Sequence, residues 1–192
     1  QFWLRELRRV GALVADTPIF NWLDQPIGDK SQLPVVHCTE CGEAAWVALV
    51  DADMRAQIQQ TVQGFAVDDD PQAIYQAWGF ETRTSPDLVT ISRWLQEDPP
   101  LLADKQLPLE SNRYFMAPGS LILRLGPGQC PLTGESTFPV KVAHEVHTRD
   151  DGQRVGRRIC PHCLAEDTLM FIGSRAATVA SVSIDEIFGS TL

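Results

Sequence analysis

Two Cys-x-x-Cys tetrapeptides set the terms for this chain. They are Cys38-Thr39-Glu40-Cys41, followed by Gly42, and Cys160-Pro161-His162-Cys163, with residues 42–159 between them. A tight Cys-x-x-Cys turn points two thiolates at one centre, and two such turns complete the tetrahedral four-sulfur shell that Zn2+ takes in structural sites, with Zn–S near 2.3 Å. Gly42 suits the sharp turn after the second cysteine, because glycine enters left-handed backbone freely. Leu164 stands at the matching place in the second turn, so a slightly different turn is expected there. The spacing between the pairs far exceeds the 15–20 residues or so of a compact ribbon. Loop entropy grows only with the logarithm of length, so a long excursion between two clamped feet is tolerated. The expected ligands are therefore Cys38, Cys41, Cys160 and Cys163, holding a structural Zn2+.

Other readings of the four thiols stay open at this point. They are buried free cysteines, two disulfides in an oxidising compartment, and an iron–sulfur cluster. Cys160-Pro161-His162-Cys163 also matches the active site of thioredoxin-class thiol oxidases, whose first thiolate is activated at a helix N-terminus. That fold needs a further α/β region and a proline facing the disulfide. Only residues 164–192 follow the motif, and none is proline. Cys130 has no partner cysteine and reads as a spectator. His37 and His162 sit beside the pairs rather than in them. His144 and His147, three apart on an expected strand, face opposite sides and make a poor metal pair. The chain has no His-Glu-x-x-His, no glycine-rich phosphate loop and no other catalytic centre.

Charge narrows the partners. The net charge is −9, which argues against a purely electrostatic nucleic-acid binder, since such proteins carry a basic excess to displace counterions. The acidic excess is concentrated in residues 42–112, and residues 113–163 are mildly basic. No apolar run reaches the 20 or so residues that cross a bilayer, and the first residues lack the apolar core of a secretory signal. A cytoplasmic protein without membrane contact is expected. The chain lacks an initiator Met and begins and ends within expected helices, as a piece of a larger protein would.

Hydrophobic periodicity suggests an α+β fold: zinc-ribbon-like antiparallel hairpins, a long helical insertion between the two cysteine turns, and flanking helices. Trp3, Leu7, Val10 and Val14 place a helix over 2–15, and Phe20–Leu23 reads as a short strand or a docked extended stretch. A strand is expected over 45–50, with helices over 52–64, 71–78 and 86–97. The Asp68-Asp69-Asp70 run would favour the N-terminus of the second of these. From Tyr114 the pattern turns to strands at 120–125 and 138–147, with Asp150-Asp151-Gly152 turning into a return strand over 153–159. A last helix is expected over 174–188. These divide the chain into residues 1–51 (first helix and first cysteine turn), 52–112 (acidic helical insertion) and 113–192 (β-rich part with the second turn and the last helix), composed into one zinc-stapled domain.

Two stretches are familiar. Phe2-Trp3-Leu4-Arg5-Glu6-Leu7-Arg8-Arg9-Val10, running on through Pro34-Val35-Val36-His37-Cys38-Thr39-Glu40-Cys41-Gly42, resembles a region of large bacterial superfamily 2 DEAD/DEAH-box helicases. So does Cys160-Pro161-His162-Cys163 followed by Phe171-Ile172-Gly173-Ser174-Arg175-Ala176-Ala177-Thr178-Val179-Ala180-Ser181-Val182. The resemblance implies a cysteine-rich insertion between ATPase lobes, with both cysteine pairs matching the family's paired cysteines. The chain has no Walker A sequence, no DEAD or DEAH box and no arginine-finger motif. ATP and Mg2+ are thus expected only in the parent protein, and the motor lobes of that parent become partners. The function implied is an accessory domain that positions DNA or RNA relative to the motor. Arg8, Arg9, Arg154, Arg157 and Arg158 are the candidate phosphate contacts, because the guanidinium fork donates two hydrogen bonds. The alternative is a protein-interaction adaptor whose acidic middle, with Trp78 and Trp94, docks an unknown protein partner.

Overall fold

A computed structural model describes residues 10–17, 19–25, 27–50, 64–79, 84–93, 113–130 and 133–172. The described residues are mostly β: 50% strand and 7% helix, with one helix and a closed six-strand barrel. This corrects the expected α+β fold with its long helical insertion and flanking helices.

The strands are β1 (Val10–Leu13), β2 (Phe20–Trp22), β3 (Gln32–Cys38), β4 (Ala44–Val50), β5 (Gly64–Asp68), β6 (Leu88–Arg93), β7 (Arg113–Met116), β8 (Ile122–Arg124), β9 (Phe138–Ala143), β10 (Glu145–Thr148), β11 (Arg154–Arg157) and β12 (Leu169–Phe171). The helix α1 (Pro71–Trp78) lies between β5 and β6. The barrel runs β4-β5-β8-β7-β9-β6 and closes where β6 pairs back onto β4 through Trp46↔Ile91 and Leu49↔Leu88. All these pairings are antiparallel. Closure removes the unpaired edges that an open sheet would expose. Residues 64–68 and 88–93 are therefore barrel staves, not parts of a helical excursion.

Two expectations failed for identifiable reasons. Leu88 and Ile91 fall at helical spacing, but Val89, Thr90 and Ile91 are three consecutive β-branched residues, whose restricted side chains favour strands. Leu88–Ser92 is buried on both faces, so the alternation that marks a half-buried strand is missing. In the first segment, residues 10–13 are strand where a helix over 2–15 was expected. Gly11 lies so close to Leu23 that a Cβ would overlap its side chain. The apolar residues at 10 and 14 thus belong to a strand paired between β2 and β3 and to the residue that follows it. The remainder of that helix, together with those over 52–64 (residues 52–63) and 174–188, lies outside the described residues.

The short helix agrees with its signals. Asp70 caps it by accepting the Gln72 N–H at 2.9 Å, Pro71 opens it and Gly79 closes it with φ 68°. Ile74 and Trp78 turn inward. Trp78 and Tyr75 both pack on Phe171 at ring-centroid distances of 4.8 Å. Val89, Ile91 and Val140 share one face of the barrel sheet by register and are fully buried, as is Leu123, while Val47, opposite Thr90, is buried on the other face.

Outside the barrel, β3 extends the sheet from the first half of β4, with β1 and then β2 beyond it. The far end of β3 receives β12, with Leu169 opposite Cys38 and Phe171 opposite Val36. The β10–β11 hairpin stands apart as a two-stranded sheet and touches the rest through a bridge between Thr84 and Gly156. Among the described residues no helix is long and apolar enough to cross a membrane.

Candidate metal centre

The β3–β12 pairing brings the two cysteine turns together. Cys38 is the last residue of β3, and the turn after it is closed by the Gly42 N–H donating to the Cys38 carbonyl and the Cys38 N–H donating to the Glu43 carbonyl, both at 2.9 Å. The second turn repeats this pattern. Leu164 N–H donates to the Cys160 carbonyl at 2.9 Å, and Cys160 N–H to the Ala165 carbonyl at 3.0 Å. Gly42 has φ 78° and Leu164 has φ 62°. The expected difference between the turns is therefore absent from the backbone: leucine takes the left-handed conformation that glycine takes for free, at a strain of about 1–2 kcal/mol.

The four sulfurs lie within 4.8 Å of one another. The closest approaches run between the turns, Cys38 Sγ to Cys163 Sγ at 3.6 Å and Cys41 Sγ to Cys160 Sγ at 3.7 Å. A disulfide needs about 2.05 Å, so these are free thiols. A regular tetrahedron with metal–sulfur bonds of about 2.3 Å has S···S edges of about 3.8 Å; the two closest edges match this, and all four sulfurs lie near enough to share one ion. This cluster could hold a metal ion.

The electrostatics favour a cation. Burial pushes the Cys160 thiol well up, although N–H groups of Cys163 and His162 favour its thiolate. Cys41 reaches the surface, yet its sulfur sits among three others. It is pushed up to about 11, first by burial and then by Cys163 and Cys38, against the Glu43 N–H. Burial also raises Cys38, but the Thr168 hydroxyl, the Cys41 and Glu40 N–H groups and Cys163 outweigh it and bring that thiol down to about 7. Four thiolates this close repel one another, and a divalent cation at their centre relieves the repulsion.

Thr168 is a residue of the site that no sequence signal marked. Its Oγ1 lies 3.2 Å from Cys38 Sγ, and its carbonyl accepts the Thr39 N–H at 2.9 Å. It reaches Cys38 only through the β3–β12 pairing. Groups of this kind orient metal ligands and tune their basicity.

The remaining candidates fall elsewhere. His37 precedes Cys38 on β3 and so faces the other side of the sheet, His144 Nε2 meets the Pro86 carbonyl at 2.7 Å, and His147 lies on β10. Among the described residues only the four cysteines form a metal-holding group. Cys130 is buried and its sulfur lies 3.8 Å from Ser120 Oγ. It nevertheless opens a third turn of the same construction: Gly134 N–H donates to the Cys130 carbonyl at 2.7 Å, Cys130 N–H to the Glu135 carbonyl at 2.9 Å, and Gly134 has φ 70°. The signal for it was the recurrence of glycine four residues after a cysteine at Gly42 and Gly134.

The arginines are largely engaged. Arg157 pairs with Glu166 at 3.3 Å and Arg158 with Asp167 at 3.4 Å. The Arg158 guanidinium also lies 5.5 Å from the Trp78 ring centroid. Arg154 is exposed on β11. Arg8 and Arg9 lie outside the described residues. Trp78 is buried, which removes it from any docking surface, and Trp94 lies outside the described residues.

Fold and site together define a β-barrel protein whose sheet extension carries a four-cysteine centre. Comparison of the chain with protein-family models, with curated proteins and with solved structures gives no match.

Proposed function

We propose that this chain is a zinc-stapled accessory domain of an ATP-dependent nucleic-acid helicase. Zn2+ would be held by Cys38, Cys41, Cys160 and Cys163 in a purely structural role, because four protein sulfurs leave no open position for substrate. The observation that carries the reading is the meeting of the two cysteine turns, with all four sulfurs within 4.8 Å of one another. The helicase context rests on the resemblance of residues 2–10, 34–42, 160–163 and 171–182 to that family. In this reading the metal locks β3 to the segment before β12, so that the barrel moves as one body with motor lobes elsewhere in the parent. Cytoplasmic location and contact with DNA or RNA belong to the same proposal.

Elemental analysis of the purified protein tests the metal: one zinc per chain is expected, and none, or iron in its place, would refute it. Binding to single-stranded and duplex DNA and RNA over a salt series tests the nucleic-acid role. Phosphate contacts through Arg154 should weaken steeply with salt, and absence of binding at low salt would remove that role. The coding sequence around this region should carry a Walker A sequence and a DEAD or DEAH box; a parent lacking both sinks the helicase context.

A further inference from the structure

Beside the first cysteine turn, a cleft of about 230 Å3 opens on the extended sheet. Ala12, Val35 and Trp46 line it from the buried side, and Phe20, on β2, stands 53% exposed at its rim. Glu43 and Arg93 line it as well. We propose that this cleft receives one nucleobase, either free or carried by a single strand. The inference goes beyond the accessory-domain reading and does not rest on it, since no metal ligand lines the cleft.

Size argues first. The volume falls below the 300–1,000 Å3 or so of sites for larger organic ligands, and a single flat ring system suits it. The faces argue next. Phe20 offers an exposed π surface, and aromatic stacking is the sequence-tolerant way in which proteins hold single bases. The polar groups argue last. A base edge carries both N–H donors and carbonyl or ring-nitrogen acceptors; Glu43 accepts from the former and Arg93 donates to the latter.

Two orphaned donors support an acceptor-bearing ligand. Trp46 Nε1 and Arg93 Nε are both buried without a hydrogen-bond partner among the described residues. A buried donor left unpaired is costly, and both side chains line the cleft. An apolar peptide side chain would fill the same space, yet it would leave both donors unpaired and strip water from Glu43. A phosphate is disfavoured because Arg93 is already neutralised by Asp16 at 3.0 Å and because the chain carries a net charge of −9. A neutral ring meets neither obstacle.

The test is calorimetric titration of the full chain with AMP, CMP, GMP and UMP and with short homopolymeric oligonucleotides. Saturable binding is expected for at least one base and should survive high salt. Phe20→Ala and Glu43→Gln should each weaken it about tenfold. Leu125→Ala, which removes an equally exposed apolar side chain outside the cleft, should leave it unchanged. Both cleft variants alter accessible side chains, and an unchanged melting temperature confirms that they fold. Equal affinity for mononucleotide and oligonucleotide identifies a free nucleotide as the ligand; binding of the oligonucleotide alone identifies a strand. Absence of saturable binding, or binding untouched by both variants, overturns the proposal. Binding of an apolar peptide with no nucleotide binding overturns it too. Zinc retained without nucleotide binding overturns this inference alone and leaves the metal reading standing.

Discussion

Stripping the metal should lower the stability of this domain without unfolding it. The staple links positions 119 apart at Cys41 and Cys160. A cross-link of that span removes loop entropy from the unfolded chain worth about 5 kcal/mol. Residual binding of metal by cysteine pairs in the unfolded chain reduces the effect, so a loss of about 3–5 kcal/mol is expected. For a chain of this size that corresponds to a fall in melting temperature of about 6–20 °C. Small zinc fingers unfold outright when the metal is removed. Here the barrel has its own fully buried core in Val89, Ile91, Leu123 and Val140, so far-UV circular dichroism should keep its β signature at room temperature. The loosened part should be the segment from Cys160 to Thr168, whose amides should gain hydrogen exchange first. The assay is calorimetric melting with and without a strong chelator, metal content followed in parallel, and zinc added back. A melting point that moves less than about 2 °C on complete metal removal would refute the argument, because the staple would then not be constraining the unfolded chain.

Three further outcomes separate the parts. Cys160→Ser should abolish stoichiometric metal binding while Cys130→Ser leaves it intact, as elemental analysis of both purified variants will show; loss of metal in the Cys130 variant would place that thiol in the shell. Gly156→Ala should cost roughly 1–3 kcal/mol in denaturant melts, because a Cβ there runs into the Ser85 backbone carbonyl and Thr84 Oγ1 where the β10–β11 hairpin docks. The Asp69 carboxyl is raised above its ordinary 3.8, mainly by burial and then by the charges of Asp68 and Asp70. The stability contributed by its protonated form is therefore complete below pH 3.8 and lost as the pH climbs through the raised value, so Asp69→Asn should melt higher than the parent at pH 7 and level with it in acid.

The four-cysteine cluster was legible because its information is local. Each Cys-x-x-Cys turn carries its own geometry, and two matched pairs name a common centre whatever lies between them. The barrel was not legible, because staves buried on both faces lose the period-two signal. Leu88–Ser92 illustrates the failure: its apolar residues fit a helical stripe as well as a strand, and only pairing with β4 and β9 decides. Stretches with a local signal of their own were easier. The 138–147 alternation marked β9 and β10, Asp150-Asp151-Gly152 marked the turn, and the Asp68-Asp69-Asp70 run marked the start of the helix. Thr168 was out of reach for a different reason. Its contact with Cys38 arises from β3–β12 register, which is a property of the folded sheet and of no single stretch of sequence.

The third turn shows what the metal centre depends on. The turns at Cys38, Cys130 and Cys160 share both backbone hydrogen bonds and a positive φ at the fifth residue. One of them reaches that conformation with leucine, so glycine is helpful there without being required. The turn is thus a general way for this chain to reverse direction, and by itself it says nothing of metal. Two additions make it a ligand pair. A second cysteine must occupy the fourth position, where Cys41 and Cys163 stand and where the Cys130 turn has Thr133. A second such turn must also face it, which β12 achieves by laying Leu169 against Cys38. The Cys130 turn has neither, and its sulfur meets Ser120 instead. A four-cysteine cluster that could hold a metal ion therefore follows from sheet pairing acting on a turn the chain uses three times among its described residues, and the long separation of the two cysteine pairs is the length of chain needed to build the barrel between them.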